Sequence, residues 1–200
     1  MKIHYPAGVK APTNSREITS KTKRRIRPKI AVGNRGMAFE AAINATNDYY
    51  LEKGIAVIHK KPTPVHIVKV DYQKGAKITE AYFQEPSTTD YNGIYRGKYI
   101  DFEAKSTHSS TSFPLANIAP QQVKHLRAVL KLGAVAFFLI DIVKQDEVYL
   151  VPATYVCDFC EEKPRGSIPL DEIRSHGYRV EEKYNPRLDY LPILDAHFFL

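Results

Sequence analysis
TTDYNGIYRGKYIDFEAK, residues 88–105, is the stretch on which the reading of the fold turns. Aromatic and β-branched residues fill both halves, and Arg96-Gly97 between them has the turn chemistry that closes a two-stranded pair. In the second half Ile100, Phe102 and Ala104 alternate with Asp101, Glu103 and Lys105, so a strand's period of two sends the apolar set to one face and the charged set to the other. Glu103 and Lys105 then point the same way. In the first half Thr88, Asp90 and Asn92 share a face, and pairing of the two halves is expected to bring Asp90 to within a few ångströms of Glu103. Two carboxylates beside a lysine are equipment for holding Mg²⁺ and steadying charge on a phosphate. The same residues would also suit an ordinary solvated strand face, and the pattern alone does not choose.

Composition narrows the choice. The chain has 200 residues, 44% of them apolar, enough for one domain with a full core. A formal charge of +7 favours a polyanionic partner such as nucleic acid. No apolar run is long enough to span a membrane and no signal peptide is evident, so a cytoplasmic protein is expected. Cys157 and Cys160 form one Cys-x-x-Cys without a second ligand pair, which reads as reduced, structural cysteine. The scattered histidines show no metal spacing, and His125 is expected on a helix in a surface or packing role.

Residues 1–32 carry Lys2, Lys10, Arg16, Lys21, Lys23, Arg24, Arg25, Arg27 and Lys29 against the single acid Glu17, with prolines interrupting any period. A basic, disordered arm that touches phosphates is expected. Beyond it residues 33–200 form the folded domain. Ala38, Ala41, Ala42, Ala45 and Tyr49 recur at helical spacing, so Met37 to Lys53 reads as a helix closed by Gly54, with Glu40 in its first turns. Residues 55–59 form a short strand. Residues 65–71 and 78–84 read as two strands of a hairpin turned at Lys74-Gly75, and the basic tip with Lys74 and Lys77 suggests a hairpin, 65–84, that projects and meets nucleic acid. Pro120 suits the first turn of a helix running to Gly133, with Gln122 facing inward and in need of polar partners. Residues 134–142 read as a strand buried on both faces and 147–151 as its neighbour. Short helices are expected at 154–162 and 170–176, and Tyr190, Ile193, Phe198 and Phe199 are expected to pack the tail onto the core.

Four segments together carry a family resemblance: Gly-Asn-Arg-Gly-Met-Ala-Phe-Glu at 33–40, Thr-Thr-Asp-Tyr-Asn-Gly at 88–93, Ile-Asp-Phe-Glu-Ala-Lys at 100–105 and Pro-Gln-Gln at 120–122. With them the chain resembles the RecU family of Holliday junction resolvases, within the restriction-endonuclease-like nuclease superfamily, over nearly its whole length. The resemblance implies an α/β fold: a central mixed sheet flanked by helices, with a protruding β-hairpin stalk. It implies Mg²⁺ at Thr88, Asp90, Glu103 and Gln122, with Lys105 stabilising the transition state. It also implies a homodimer with two active sites, and RecA as a partner in recombination, repair and chromosome segregation. Thr89 stands where the superfamily often has proline, a departure read as immaterial to the chemistry.

The expected activity is therefore magnesium-dependent cleavage of four-way junction DNA near the nucleoid. DNA contacts are expected at Lys21, Lys23, Arg24, Arg25, Arg27, Lys29, Arg35, Lys74 and Lys77. Two alternatives remain open at this point, a non-enzymatic nucleic-acid-binding protein and an RNA-processing nuclease of the same superfamily.

Overall fold
The computed structural model describes residues 35–73, 75–84, 88–162 and 165–199. The arm at 1–32, with Lys21, Lys23, Arg24, Arg25, Arg27 and Lys29, lies outside the described residues, as do Lys74 and the side chain of Arg35.

The hairpin proposed from the sequence forms as β4 (Tyr91–Tyr95) and β5 (Lys98–Thr107), paired antiparallel from Tyr91↔Phe102 to Tyr95↔Lys98. Arg96 and Gly97 both take positive φ, 48° and 74°, the mirror-image turn whose twist matches the flanking strands. Arg96 is held there by its guanidinium, 2.8 Å from Asp195 and over the ring of Phe199. On the other side β4 pairs with β1 (Val57–Lys60). A Cβ on Gly93 would lie 2.0 Å from the Val57 carbonyl oxygen, so only glycine fits at that crossing.

After β5 the chain passes through α2 (Pro120–Lys131) and returns as β7 (Val135–Ile142). A helical crossover of this kind lets two strands lie parallel, and β5 and β7 do so, from Ile100↔Val135 to Thr107↔Ile142. β8 (Glu147–Pro152) and β10 (Tyr178–Val180) complete a six-stranded mixed sheet ordered β1-β4-β5-β7-β8-β10.

Every residue of β7 is buried, as its nearly unbroken apolar run requires. Phe137 and Leu139 join one core with Ile100, Phe102, Leu191 and Leu194, beside α1 (Arg35–Glu52) and α5 (Leu191–His197). Phe138, Ile140 and Ile142 join the other with Phe113, with Leu126 of α2 and with Val156 and Phe159 of α3 (Ala153–Glu162). Phe102 stacks between Tyr91 at 4.8 Å and Phe137 at 4.7 Å, with Tyr190 edge-on. Burial of one such ring stabilises the domain by about 2–3 kcal/mol.

α1 exists where the sequence places it, but with a different face inward. Ala41 and Ala45 are exposed. The buried stripe is Phe39, Ala42, Ile43, Thr46, Asn47 and Tyr50. Two of these are polar, and the C-terminal segment bonds to both: Thr46 Oγ1 accepts from the Leu188 N–H at 2.9 Å, and the Tyr190 hydroxyl donates to Asn47 Oδ1, while the buried Asn47 Nδ2 is without a partner among the described residues. The tail expected to pack does so through Tyr190 and Leu194, while Tyr184 stays exposed.

β2 (Val65–Asp71) and β3 (Lys77–Phe83) pair only with each other, and all their residues but Val70 are exposed. Lys77 is among the exposed residues. A small pair, β6 (Ser112–Pro114) with β9 (Ser167–Pro169), and α4 (Leu170–His176) finish the described elements. Cys157 is buried in α3 and both cysteines are free; burial pushes the Cys157 thiol up to about 12, so it stays protonated and inert. Among the described residues no helix is long and apolar enough to cross a membrane.

Candidate active site
The charged face of β5 is not solvated. Asp101 and Glu103 are both completely buried, because α2 lies over them and turns Gln122 and His125, one helical turn apart, toward the strand. Asp90 comes just before β4 and not within it, yet it meets Glu103 as the pattern requires. The Asp90 N–H donates to Glu103 Oε2 at 3.1 Å, and the Ala104 N–H donates to Asp90 Oδ2 at 3.3 Å.

Glu103 receives three donors. Lys105 Nζ and Gln122 Nε2 both stand 2.7 Å from its Oε1, and the Asp90 N–H takes Oε2. Even so, burial and then the charge of Asp90 push its carboxyl up to about 7, against the downward pull of Lys105. A carboxylate in that condition gains from any further cation that reaches it. Gln122 is buried, as expected from its inward position. Its amide orientation is set by Ala119, whose N–H donates to Gln122 Oε1 at 3.0 Å at the start of α2. The amide nitrogen is therefore the end that faces Glu103, and Gln122 steadies that carboxylate from behind. Lys105 keeps about a quarter of its side chain exposed and so borders both the acid pair and solvent.

Thr88 precedes this cluster half-buried. Glu40, on the second turn of α1, is ion-paired to Lys60 at the end of β1. The phenol of Tyr91 is pushed up by burial, then by the charges of Glu40 and Asp90. Its hydroxyl donates to Asn44 at 3.0 Å.

A second polar group was missed from the sequence. Asp101 Oδ2 lies 2.6 Å from His125 Nε2, its Oδ1 lies 3.3 Å from Lys61 Nζ, and the Thr89 hydroxyl donates to the same Oδ1. His125 is thus a partner of a buried acid, and Thr89, read as immaterial, is buried and bonded. The available signal was Asp101 itself, an acid on the same strand face as Glu103.

Asp90 and Glu103 supply hard carboxylate oxygens, suited to a magnesium-like cation rather than to zinc or copper. Among the described residues no three His, Cys, Asp or Glu side chains converge on one point. Two carboxylates, neutral oxygens and water are what this chain offers such an ion.

A mixed sheet with Glu-x-Lys on a central strand, an aspartate at the head of its neighbour and helices on both faces makes this an α/β protein with an acid pair and a lysine at the sheet. Comparison with known proteins narrows it further. The model of the family described as Recombination protein U (RecU) matches residues 34–196, and the chain belongs to that family. It is 54% identical over 169 residues to the Holliday junction resolvase RecU of Lactococcus lactis subsp. cremoris strain MG1363, covering 83% of this chain and 79% of that one. It is 48% identical over 201 residues to the Holliday junction resolvase RecU of Leuconostoc citreum strain KM20, covering 99% and 98%. Among solved structures it is similar to Archaeoglobus fulgidus Hjc, a Holliday junction resolvase, at 13% identity and a TM-score of 0.41 over 72% of this chain and 94% of that one, a likeness too loose to build on.

Proposed function
We propose that this chain is a magnesium-dependent endonuclease that resolves four-way DNA junctions by paired, symmetric nicking in recombination, repair and chromosome segregation. The observation that carries this reading is the buried apposition of Asp90 and Glu103 with Lys105 at 2.7 Å from Glu103. Two acids driven together, one of them pushed up to about 7, form a place that a divalent cation stabilises.

Asp90 and Glu103 would hold the ion; the family resemblance adds Thr88 and Gln122 to the ligand set, although here Gln122 Oε1 accepts from Ala119 and its Nε2 faces Glu103. Bound there, the ion polarises a phosphate oxygen and lowers the pKa of a water. Gln122, tied to Ala119, fixes the Glu103 carboxylate, and α2 keeps bulk water off it. Lys105 orients the attacking water and offsets the negative charge that gathers on the phosphorus. In-line attack leaves 5′-phosphate and 3′-hydroxyl ends.

Junction choice belongs to other parts of the chain. The exposed hairpin β2–β3 acts as the projecting stalk at the junction's centre, Lys77 and Lys74 meeting phosphates there, while the basic arm and Arg35 add contacts that strengthen binding without reading sequence. A homodimer places two sites on a two-fold substrate. The enzyme works in the cytoplasm at the nucleoid, with RecA as a partner.

Labelled four-way junction, linear duplex and structured RNA, each incubated with Mg²⁺ or with EDTA, test the reading. Paired nicks in the junction that require the metal are expected. Binding without strand breakage would leave a non-enzymatic DNA-binding protein, and preferential cutting of RNA would leave an RNA-processing nuclease.

A further inference from the structure
Asp90 lies one residue outside the sheet's ladders, held on one side by the Ala104 N–H of β5 on its Oδ2. The β1–β4 and β4–β5 ladders both begin at Tyr91, paired with Lys60 and with Phe102, so the residues just before it are outside the ladders. Besides the bonds of Asp90 to Glu103 and Ala104, the cluster around Asp101 holds them. The Lys61 N–H donates to the Asp90 carbonyl oxygen at 2.7 Å, and Lys61 Nζ donates to Thr89 Oγ1 at 2.8 Å. The Thr89 hydroxyl in turn donates to the fully buried Asp101, which also faces Lys61 Nζ and His125 Nε2. An ionised carboxylate only accepts, so the hydrogen in the last contact sits on Nε2. One hydroxyl thus both accepts and donates, and it belongs to the residue next to Asp90.

The reason such an anchor is needed is electrostatic. Asp90 and Glu103 repel each other when both are ionised, and a loop held only at one end would swing the aspartate away from its neighbour. Asp101 resists this because its own charge is desolvated and can be balanced only where Lys61, Thr89 and His125 stand. α2 ties both acids of β5 through residues one turn apart, Gln122 to Glu103 and His125 to Asp101. The two halves of the site are therefore set by one helix.

We propose that Thr89, backed by Asp101, Lys61 and His125, is a positioning residue: through its hydroxyl it sets the Asp90 carboxylate against Glu103 and so sets how tightly that pair holds a divalent cation. This rests on the reading of Asp90 and Glu103 as the metal-binding acids. Thr89→Val keeps the shape and removes the hydroxyl, whereas Thr89→Ser keeps the hydroxyl.

Mn²⁺ binding to the DNA-free full chain, followed by electron paramagnetic resonance, is the primary measurement. Single-turnover junction cleavage against Mg²⁺ concentration accompanies it. Thr89→Val should bind Mn²⁺ about tenfold more weakly and need about tenfold more Mg²⁺ for half-maximal cleavage, the usual scale for groups that orient metal ligands. Its junction affinity in EDTA should stay close to wild type, its melting temperature should fall by only a few degrees as the buried Asp101 loses one donor, and Thr89→Ser should restore the metal affinity. Wild-type Mn²⁺ affinity in Thr89→Val overturns the proposal. Should Thr89→Val fail to fold, Lys61→Met, at a partly exposed side chain, carries the same test, with weaker Mn²⁺ binding expected and unchanged binding overturning it. Asp90→Asn separates the two readings. If it leaves Mn²⁺ binding untouched, or if the wild-type chain binds none, the metal site itself is wrong and this inference falls with it. If Asp90→Asn loses binding while Thr89→Val keeps it, only this inference fails.

Discussion
Raising the pH of the metal-free protein through neutrality should destabilise it, and Glu103 is the cause. Its carboxyl is pushed from an ordinary 4.5 up to about 7, first by burial and then by the charge of Asp90. Between those values the folded chain keeps a proton that the unfolded chain has released, so each rise in pH favours unfolding. The stabilisation is fully present below about pH 4.5 and is lost as the pH passes about 7. The gap, 7 − 4.5, is about 2.5 units and corresponds to a free energy on the order of 3 kcal/mol. In a domain of this size each 1 kcal/mol shifts Tm by about 2–4 °C, so most of a roughly 6–12 °C fall is expected between about pH 5 and pH 8.

Thermal unfolding in EDTA at those two pH values, for wild type and for Glu103→Gln, isolates the contribution of Glu103. A divalent cation takes the place of the proton. Mg²⁺ should therefore recover much of the lost stability above pH 7, with apparent affinity falling about tenfold per unit below it. A wild-type pH dependence equal to that of Glu103→Gln would refute the reasoning. So would Mg²⁺ stabilisation as large at the lower pH as at the higher.

Asp90→Asn should reduce junction cleavage by about a thousandfold or more while leaving junction binding in EDTA intact or somewhat tighter, because an acid beside the scissile phosphate has been neutralised; near-normal cutting by the purified variant would count against the site. Lys105→Ala should cost about 10²–10³ in single-turnover rate yet keep Mn²⁺ binding, since it removes a charge stabiliser and not a ligand; loss of metal binding would contradict that division of roles. Shortening residues 70–79 to a two-residue turn should leave Tm unchanged, because all of these residues where described, apart from the half-buried Val70, are exposed, and should lessen the preference for junction over duplex in competition binding. Removing residues 1–30 should flatten the dependence of log affinity on log salt, since nine cations no longer release counterions; an unchanged slope would mean that the arm binds no phosphate.

The candidate site was legible to the extent that it depends on strand alternation. Thr88, Asp90, Glu103, Lys105 and Gln122 were named from spacing and from the quoted family segments, and the structure brings all but Thr88 into direct hydrogen-bonded or ionic contact. What periodicity could not supply was the environment of that strand. A period of two says that Asp101 and Glu103 face away from Phe102, not whether that side meets water or a helix. α2 covers it, and burial then changes the meaning of every polar group there: His125 and Lys61 balance a buried charge, and Thr89 becomes a link in the site.

The sequence by itself determined the elements whose information is local: the turn at Arg96-Gly97, the alternation along β5, the doubly buried β7, the helix that Pro120 opens, and a hairpin with too little apolar contact to join the core. It also determined the family, because four short segments together are more specific than any one. Only the tertiary structure decided which faces those elements bury. α1 turns Thr46 and Asn47 inward because Leu188 and Tyr190 are there to bond them, more than 140 residues later in the chain. It likewise decided that β5 and β7 lie parallel under α2, which joins Asp90, Glu103 and Asp101 into one network. Such partners arise from long-range closure of the chain, and a polar side chain can be buried only where closure delivers its hydrogen bonds.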